Sequence, residues 1–291
     1  MKKIIAILSA AVLSAGILSA QDFAKATDLA KQANESLLAG DFTTAISNFE
    51  AALAQASNCV EEGAPELVAN CQKGIVQAKN AAVNPLIEGG QWKEAVAQLD
   101  DVIATAGNFG DEEMGQKAAD KKLQVLQAAA NAEIKATKGE TDPAAKAAHF
   151  QSAIEFLDGV LAIDPANGKA LMSKGQVLTS LGKADEAIEV YTKAKECGQE
   201  SSANKQIANI YVKKASALLK AQKYKEAAEA AVKATEFNEK NANAFKIAGI
   251  ASQKSGNLQG AVDYLGKYLE INPGDEQIAK AVEAIKANIK K

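Results

Sequence analysis

Gly182-Lys183-Ala184-Asp185-Glu186-Ala187, followed by Tyr191 and Ala194, is the stretch whose reading decides the fold. Residues at i, i+4 and i+7 share one helix face, so Ala187, Tyr191 and Ala194 form a stripe that must be buried against a neighbouring helix. The small residue lets two backbones approach, and Gly182 stands where a preceding helix has to stop in the left-handed conformation that glycine tolerates. The same pattern recurs as Gly40-Asp41-Phe42-Thr43-Thr44-Ala45, Gly90-Gln91-Trp92-Lys93-Glu94-Ala95 and Gly256-Asn257-Leu258-Gln259-Gly260-Ala261. Gln222-Lys223-Tyr224-Lys225-Glu226-Ala227 and Ala148-His149-Phe150-Gln151-Ser152-Ala153 are copies without the glycine. The closing alanines are spaced 50, 58, 34, 40 and 34 residues apart, so a 34-residue unit is explicit twice and stretched elsewhere. Phe49, Leu99, Leu157, Tyr191, Ala231 and Leu265 follow four residues on, and Ala52, Val102, Val160, Ala194, Ala234 and Tyr268 three further. Pro165 and Pro273 end second helices, because the residue before a proline is pushed out of the helical region. Each unit is helix, turn, helix, stop.

This pattern resembles the tetratricopeptide repeat family, whose 34-residue unit is a helix–turn–helix. From Gly168 the register places Leu171, Gly175, Leu178, Ala187, Tyr191 and Ala194 on family positions, and from Ala242 it places Phe245, Gly249, Ala261, Leu265, Tyr268 and Pro273. The units from about Thr27, Val76 and Ala208 match in their second halves, and the third carries Lys138 to Asp142 between its helices. Two first helices read as lengthened, from Pro65 to Glu88 with a kink at Pro85 and from Glu113 to Lys138. The resemblance implies an all-α chain, a right-handed α-solenoid of about six repeats. The expected organisation is a leader over residues 1–20, irregular repeats over 21–165, regular repeats over 166–274 and a capping helix over 275–291. That last helix has Asp275 as N-cap and Ile278, Val282, Ile285 and Ile289 on one face, with Lys280, Glu283, Lys286 and Lys290 outward.

The leader is a secretory signal peptide by its parts: Lys2 and Lys3, an apolar run from Ile4 to Leu18, then Ser19-Ala20 before Gln21. About fifteen apolar residues fall short of a membrane span. Gln21 stands where a lipoprotein would need cysteine. The expected mature protein is therefore soluble, periplasmic or secreted, with no transmembrane segment and 31 lysines against 36 acids. There are 61 alanines and no arginine, and lysines alternate with acids, a surface unsuited to nucleic acid.

Catalytic chemistry has little to use, and the chain reads as a non-enzyme without cofactor or metal. His149 is the only histidine, read at the turn of the third repeat, and it is too far in sequence from Cys59, Cys71 and Cys197 to make a ligand motif. Gly107-Asn108-Phe109-Gly110 lacks the lysine of a phosphate loop and reads as a linker. Cys59 and Cys71 flank a short turn containing Gly63 and Pro65, and export would permit them to pair as a disulfide. Nine of fourteen aromatics fall on framework positions, leaving Phe23, Phe109, Phe156, Phe237 and Tyr264. The family resemblance implies a concave groove lined by first helices that binds a peptide or partner protein. Carried onto this sequence, its groove positions are Gln176, Ser180, Asn209, Ser216, Lys220, Asn243, Gln253 and Lys254. The expected function is a protein-interaction scaffold of the cell envelope; the alternative is a carbohydrate or peptidoglycan-binding module on the same repeats.

Overall fold

The computed structural model describes the backbone of residues 2–289 and the side chains of residues 20–289. Most side chains of the expected export signal, and Lys290 of the capping helix, lie outside that description. The described residues are all-α and form two compact units, residues 1–129 and 130–291. The first contains α1 (Lys2–Leu38), α2 (Phe42–Ala56), α3 (Ala64–Ala81), α4 (Val83–Glu88) and α5 (Trp92–Phe109), and the start of α6 (Glu112–Ala136). In the second follow α7 (Pro143–Ile163), α8 (Gly168–Ser180), α9 (Ala184–Ala194), α10 (Glu200–Lys220), α11 (Tyr224–Phe237), α12 (Ala242–Lys254), α13 (Leu258–Ile271) and α14 (Glu276–Ile289).

The repeat stripes are the cores of these units. Ala45, Ala95, Ala153, Ala187, Ala227 and Ala261 are all 0% exposed, and Phe49, Leu99, Leu157, Tyr191, Ala231 and Leu265 are buried beside them. At the first of these positions a β-carbon is all that two crossing helices leave room for. In the second unit each helix packs on the next in sequence, and α10 and α12, first helices of successive pairs, also touch each other. Helix starts are fixed by side-chain caps worth about 1 kcal/mol each. Asp41, Asn167, Asn241 and Asn257 accept from the backbone N–H three residues on.

Where the sequence shows glycine, the turn is left-handed: φ is +79° at Gly40, +69° at Gly90, +77° at Gly182 and +88° at Gly256. Gln222 takes the same place with φ +61°, the only non-glycine among the described residues with positive φ. Its N–H bonds Leu219 O at 3.1 Å and the next N–H bonds Leu218 O at 3.0 Å, repeating the pattern at Gly182 and Lys183. Two helices that must reverse here hold glutamine in a conformation costing about 1–2 kcal/mol. Part of that is offset by the greater freedom glycine would lose on folding. Gln222→Gly should therefore stabilise the protein by about 0.5–1 kcal/mol, and an unchanged or lower melting temperature would contradict the turn geometry.

Two expectations are corrected. His149 is not at a turn, because the reversal comes earlier: Asp142 accepts from Ala144 N and Ala145 N, and Pro143 occupies the first turn, where its missing N–H costs nothing. Helix α7 thus runs unbroken through His149 and Phe150. Gly107 to Phe109 are not a linker either. They form the last turn of α5, stopped by Gly110 at φ +71°. Pro85 does interrupt its helix, which breaks at Ala82 between α3 and α4.

Asp275 caps α14 as expected and does more. Its Oδ1 accepts from Ile278 N at 3.1 Å, while Oδ2 accepts from Tyr268 Oη at 2.8 Å and from Lys246 Nζ at 3.1 Å. These donors, Tyr268 foremost, hold the carboxyl below its ordinary value of 3.8. A carboxylate depressed in the folded state stabilises above its unfolded pKa, and that gain is lost as pH falls through the lowered folded value. Asp275→Asn should lower the melting temperature near neutral pH, with the difference shrinking below the ordinary aspartate range. A difference independent of pH would show that the charge plays no part.

Candidate functional site

All eight groove candidates lie on first helices of the second unit, away from its core. Gln176 and Ser180 are exposed on α8, and Ser180 Oγ donates to Gln176 O at 3.0 Å. Asn209, Ser216 and Lys220 follow one another at i, i+7 and i+11 along α10, a single stripe opposite buried Ala203, Ile207 and Ile210. Asn243, Gln253 and Lys254 are exposed on α12. The Lys254 ammonium lies 5.4 Å above the Tyr224 ring, which fixes it at the C-terminal end of the helix where positive charge suits the dipole. Because α10 packs on α12, the structure brings these two stripes side by side. Helix α8 packs on α7, on α9 and on the turn Lys195–Gln199. Six of the eight are thus grouped on α10 and α12, with Gln176 and Ser180 on a separate first helix. Their chemistry is hydrogen bonding plus two ammonium groups.

The cysteines and the histidine are placed differently from expectation. Cys59 and Cys71 are not joined; Cys71 is a free thiol. Helix α3 turns Cys71 inward, at 0% exposure, into the core formed with Ala30, Ala33, Phe49 and Ile75, and burial pushes its thiol pKa up. Cys59 lies beyond the end of α2 with its sulfur 3.3 Å from Gln55 O. Cys197 is half-buried at the turn after α9, beside Gly198 at φ +80°. His149 Nδ1 lies 2.6 Å from Glu133 Oε2, so the lone histidine ties α7 to α6. Among the described residues no group of three His, Cys, Asp or Glu side chains is arranged to hold a metal. No helix among them is long and apolar enough to cross a membrane.

Sequence reasoning missed the concavities of the second helices. The space between α11 and α13 is lined in part by Tyr264 and Val232. Tyr264 was the available signal, as an aromatic left over once the framework positions were filled.

Paired antiparallel helices with a buried small-residue crossing, a left-handed turn and a polar first-helix face define a helical-repeat protein. Residues 144–208 and 212–276 each match a family model described as tetratricopeptide repeat. The chain thus carries tetratricopeptide repeats over those two stretches. Among solved structures it is similar to one of MamA, at 17% identity and a TM-score of 0.38, covering 68% of this chain and 94% of that one. A fragment of MamA from Desulfovibrio magneticus RS-1 is 15% identical with a TM-score of 0.37, covering 58% and 85%. YrrB, described as a TPR protein with an unusual peptide-binding site, is 18% identical with a TM-score of 0.36, covering 77% and 98%. No curated protein matches the sequence.

Proposed function

We propose that this protein is a non-enzymatic adaptor of the cell envelope that holds a peptide or partner protein on the first helices α8, α10 and α12. The observation that carries this reading is the division of labour along those helices. Each spends one face on the repeat core, while Gln176, Asn209, Asn243 and their neighbours are left facing outward with no structural task. Export rests on Lys2, Lys3, the apolar run to Leu18 and Ser19-Ala20. It puts the adaptor in the periplasm or outside the cell. The carbohydrate alternative needs rings free to stack on sugars, and none of the fourteen aromatics is in an exposed position. That difference favours a protein ligand.

Replacing Asn209 and Asn243 together by Glu puts two negative charges on the face while leaving the core untouched. In a pull-down from envelope extract with the mature protein, Asn209→Glu with Asn243→Glu should lose the partner that the parent retains, with the helical circular dichroism unchanged. Equal capture by both would overturn the groove assignment.

A further inference from the structure

A groove that the repeat framework does not require lies between second helices α11 and α13, both of which pack on α12. Its wider part is a cavity of 560 Å³ floored by Ser252, with Val232 and Tyr264 on the walls and small Ala228 opening one side. Past Glu236 it continues into a cavity of 450 Å³ reaching Phe245 and Ile271. Ile271 is 41% exposed, although a residue of that size ordinarily gains about 1.5–3 kcal/mol by burial.

The rim is acidic. Glu229, Glu236 and Glu239 border one side and Glu270 the other. Among the described residues none of these four carboxylates has a cation or hydrogen-bond donor as partner. The lysines that could neutralise them are turned to rings instead: Lys233 lies 5.8 Å above Tyr211 and Lys267 5.6 Å above Phe245. With Lys225 at the open end, three lysines face four glutamates, and the lining keeps a net charge of −1. Glu229 and Glu236 are seven residues apart on one helix face, about 10 Å along its axis. A polyproline II segment covers about the same distance in three residues, one full turn, which returns the side chain to the same face.

We propose that the α11–α13 groove docks a cationic segment of a partner protein, two basic side chains three residues apart bracketing a bulky apolar one. The basic groups meet Glu229 and Glu236, and the apolar side chain settles against Val232 and Tyr264. This surface is built from second helices, so it stands independently of the first-helix groove. It also takes ligands of the opposite charge preference.

The test is fluorescence anisotropy on the full chain, using a fluorescein-labelled Gly-Lys-Leu-Ala-Lys-Gly amide and its counterpart with Glu for both Lys. The lysine peptide should bind and the glutamate peptide should not. Glu229→Lys with Glu236→Lys should weaken binding about tenfold or more, as should Tyr264→Ala, which alters no charge. Glu189→Lys with Glu196→Lys, the same change in net charge on exposed sites elsewhere, should leave it within about twofold, and so should Asn209→Glu with Asn243→Glu. Failure of the lysine peptide to bind, binding of both peptides alike, equal losses from the two Glu→Lys pairs, or full binding by Tyr264→Ala would each overturn the proposal.

Discussion

Ala187→Trp should be among the most damaging single changes in the second unit. Ala187 is 0% exposed at the crossing of α8 and α9, in a core with Leu171, Val177, Leu178 and Tyr191. An indole there has no space unless the helices separate, and overpacking of this kind costs about 3 kcal/mol. For a unit of this size that is a fall of roughly 6–12 °C in melting temperature. Lys183→Trp, four residues earlier at the exposed N-cap, should shift stability by no more than about 0.5 kcal/mol. Because neighbouring repeats are coupled only through their interfaces, the loss should be strongest in α8 and α9 and fade with distance along the array. Hydrogen exchange resolves this, and equal melting temperatures for the two variants would contradict the register.

Gly175→Ala should destabilise although alanine is the better helix former by about 1 kcal/mol. A β-carbon at Gly175 would lie 2.5 Å from Tyr191 Cε1 and 2.7 Å from Cζ, closer than real contacts come. The ring cannot swing away, being 1% exposed and packed in the core with Leu171, Val177 and Leu178. A net loss of about 2 kcal/mol follows once the propensity gain is subtracted from the steric cost. At Gly266, within α13, a β-carbon would meet nothing within 4 Å, and Gly266→Ala should stabilise by up to about 1 kcal/mol. Opposite signs for the two substitutions are the expected result. In a double-mutant cycle, Tyr191→Leu should recover part of the loss at Gly175; strict additivity would show that the close approach is not its cause.

The repeat stripes were legible because burial at Ala187, Tyr191 and Ala194 follows from helix geometry alone, and the same spacing recurs six times. The turn at Gln222 was less so, since glutamine seldom takes positive φ and is forced there by the two helices it joins. The early start of α7 was hidden for a local reason. Asp142-Pro143 reads equally as the end of an insertion and as the cap of a helix, and only the cap hydrogen bonds decide. Cys71 shows the same limit: spacing placed it near Cys59 in sequence, but the rotation of α3 that carries it into the core depends on packing against α1 and α2. The α11–α13 groove was signalled only by left-over Tyr264, because the space itself depends on how two helices more than twenty residues apart sit across α12. The first-helix candidates came from the family's groove positions, and what they bind is not written in their spacing.

The measurement that bears most directly on the first-helix face as a partner site is site-directed photocrosslinking. A benzoylphenylalanine placed at Asn209, at Asn243 or at exposed Glu189 on α9 samples first and second helices of successive repeats in the mature protein. In envelope extract, Asn209 and Asn243 should yield adducts with the same partner and Glu189 none. Adducts from Glu189 alone, or the same weak background from all three positions, would contradict the account.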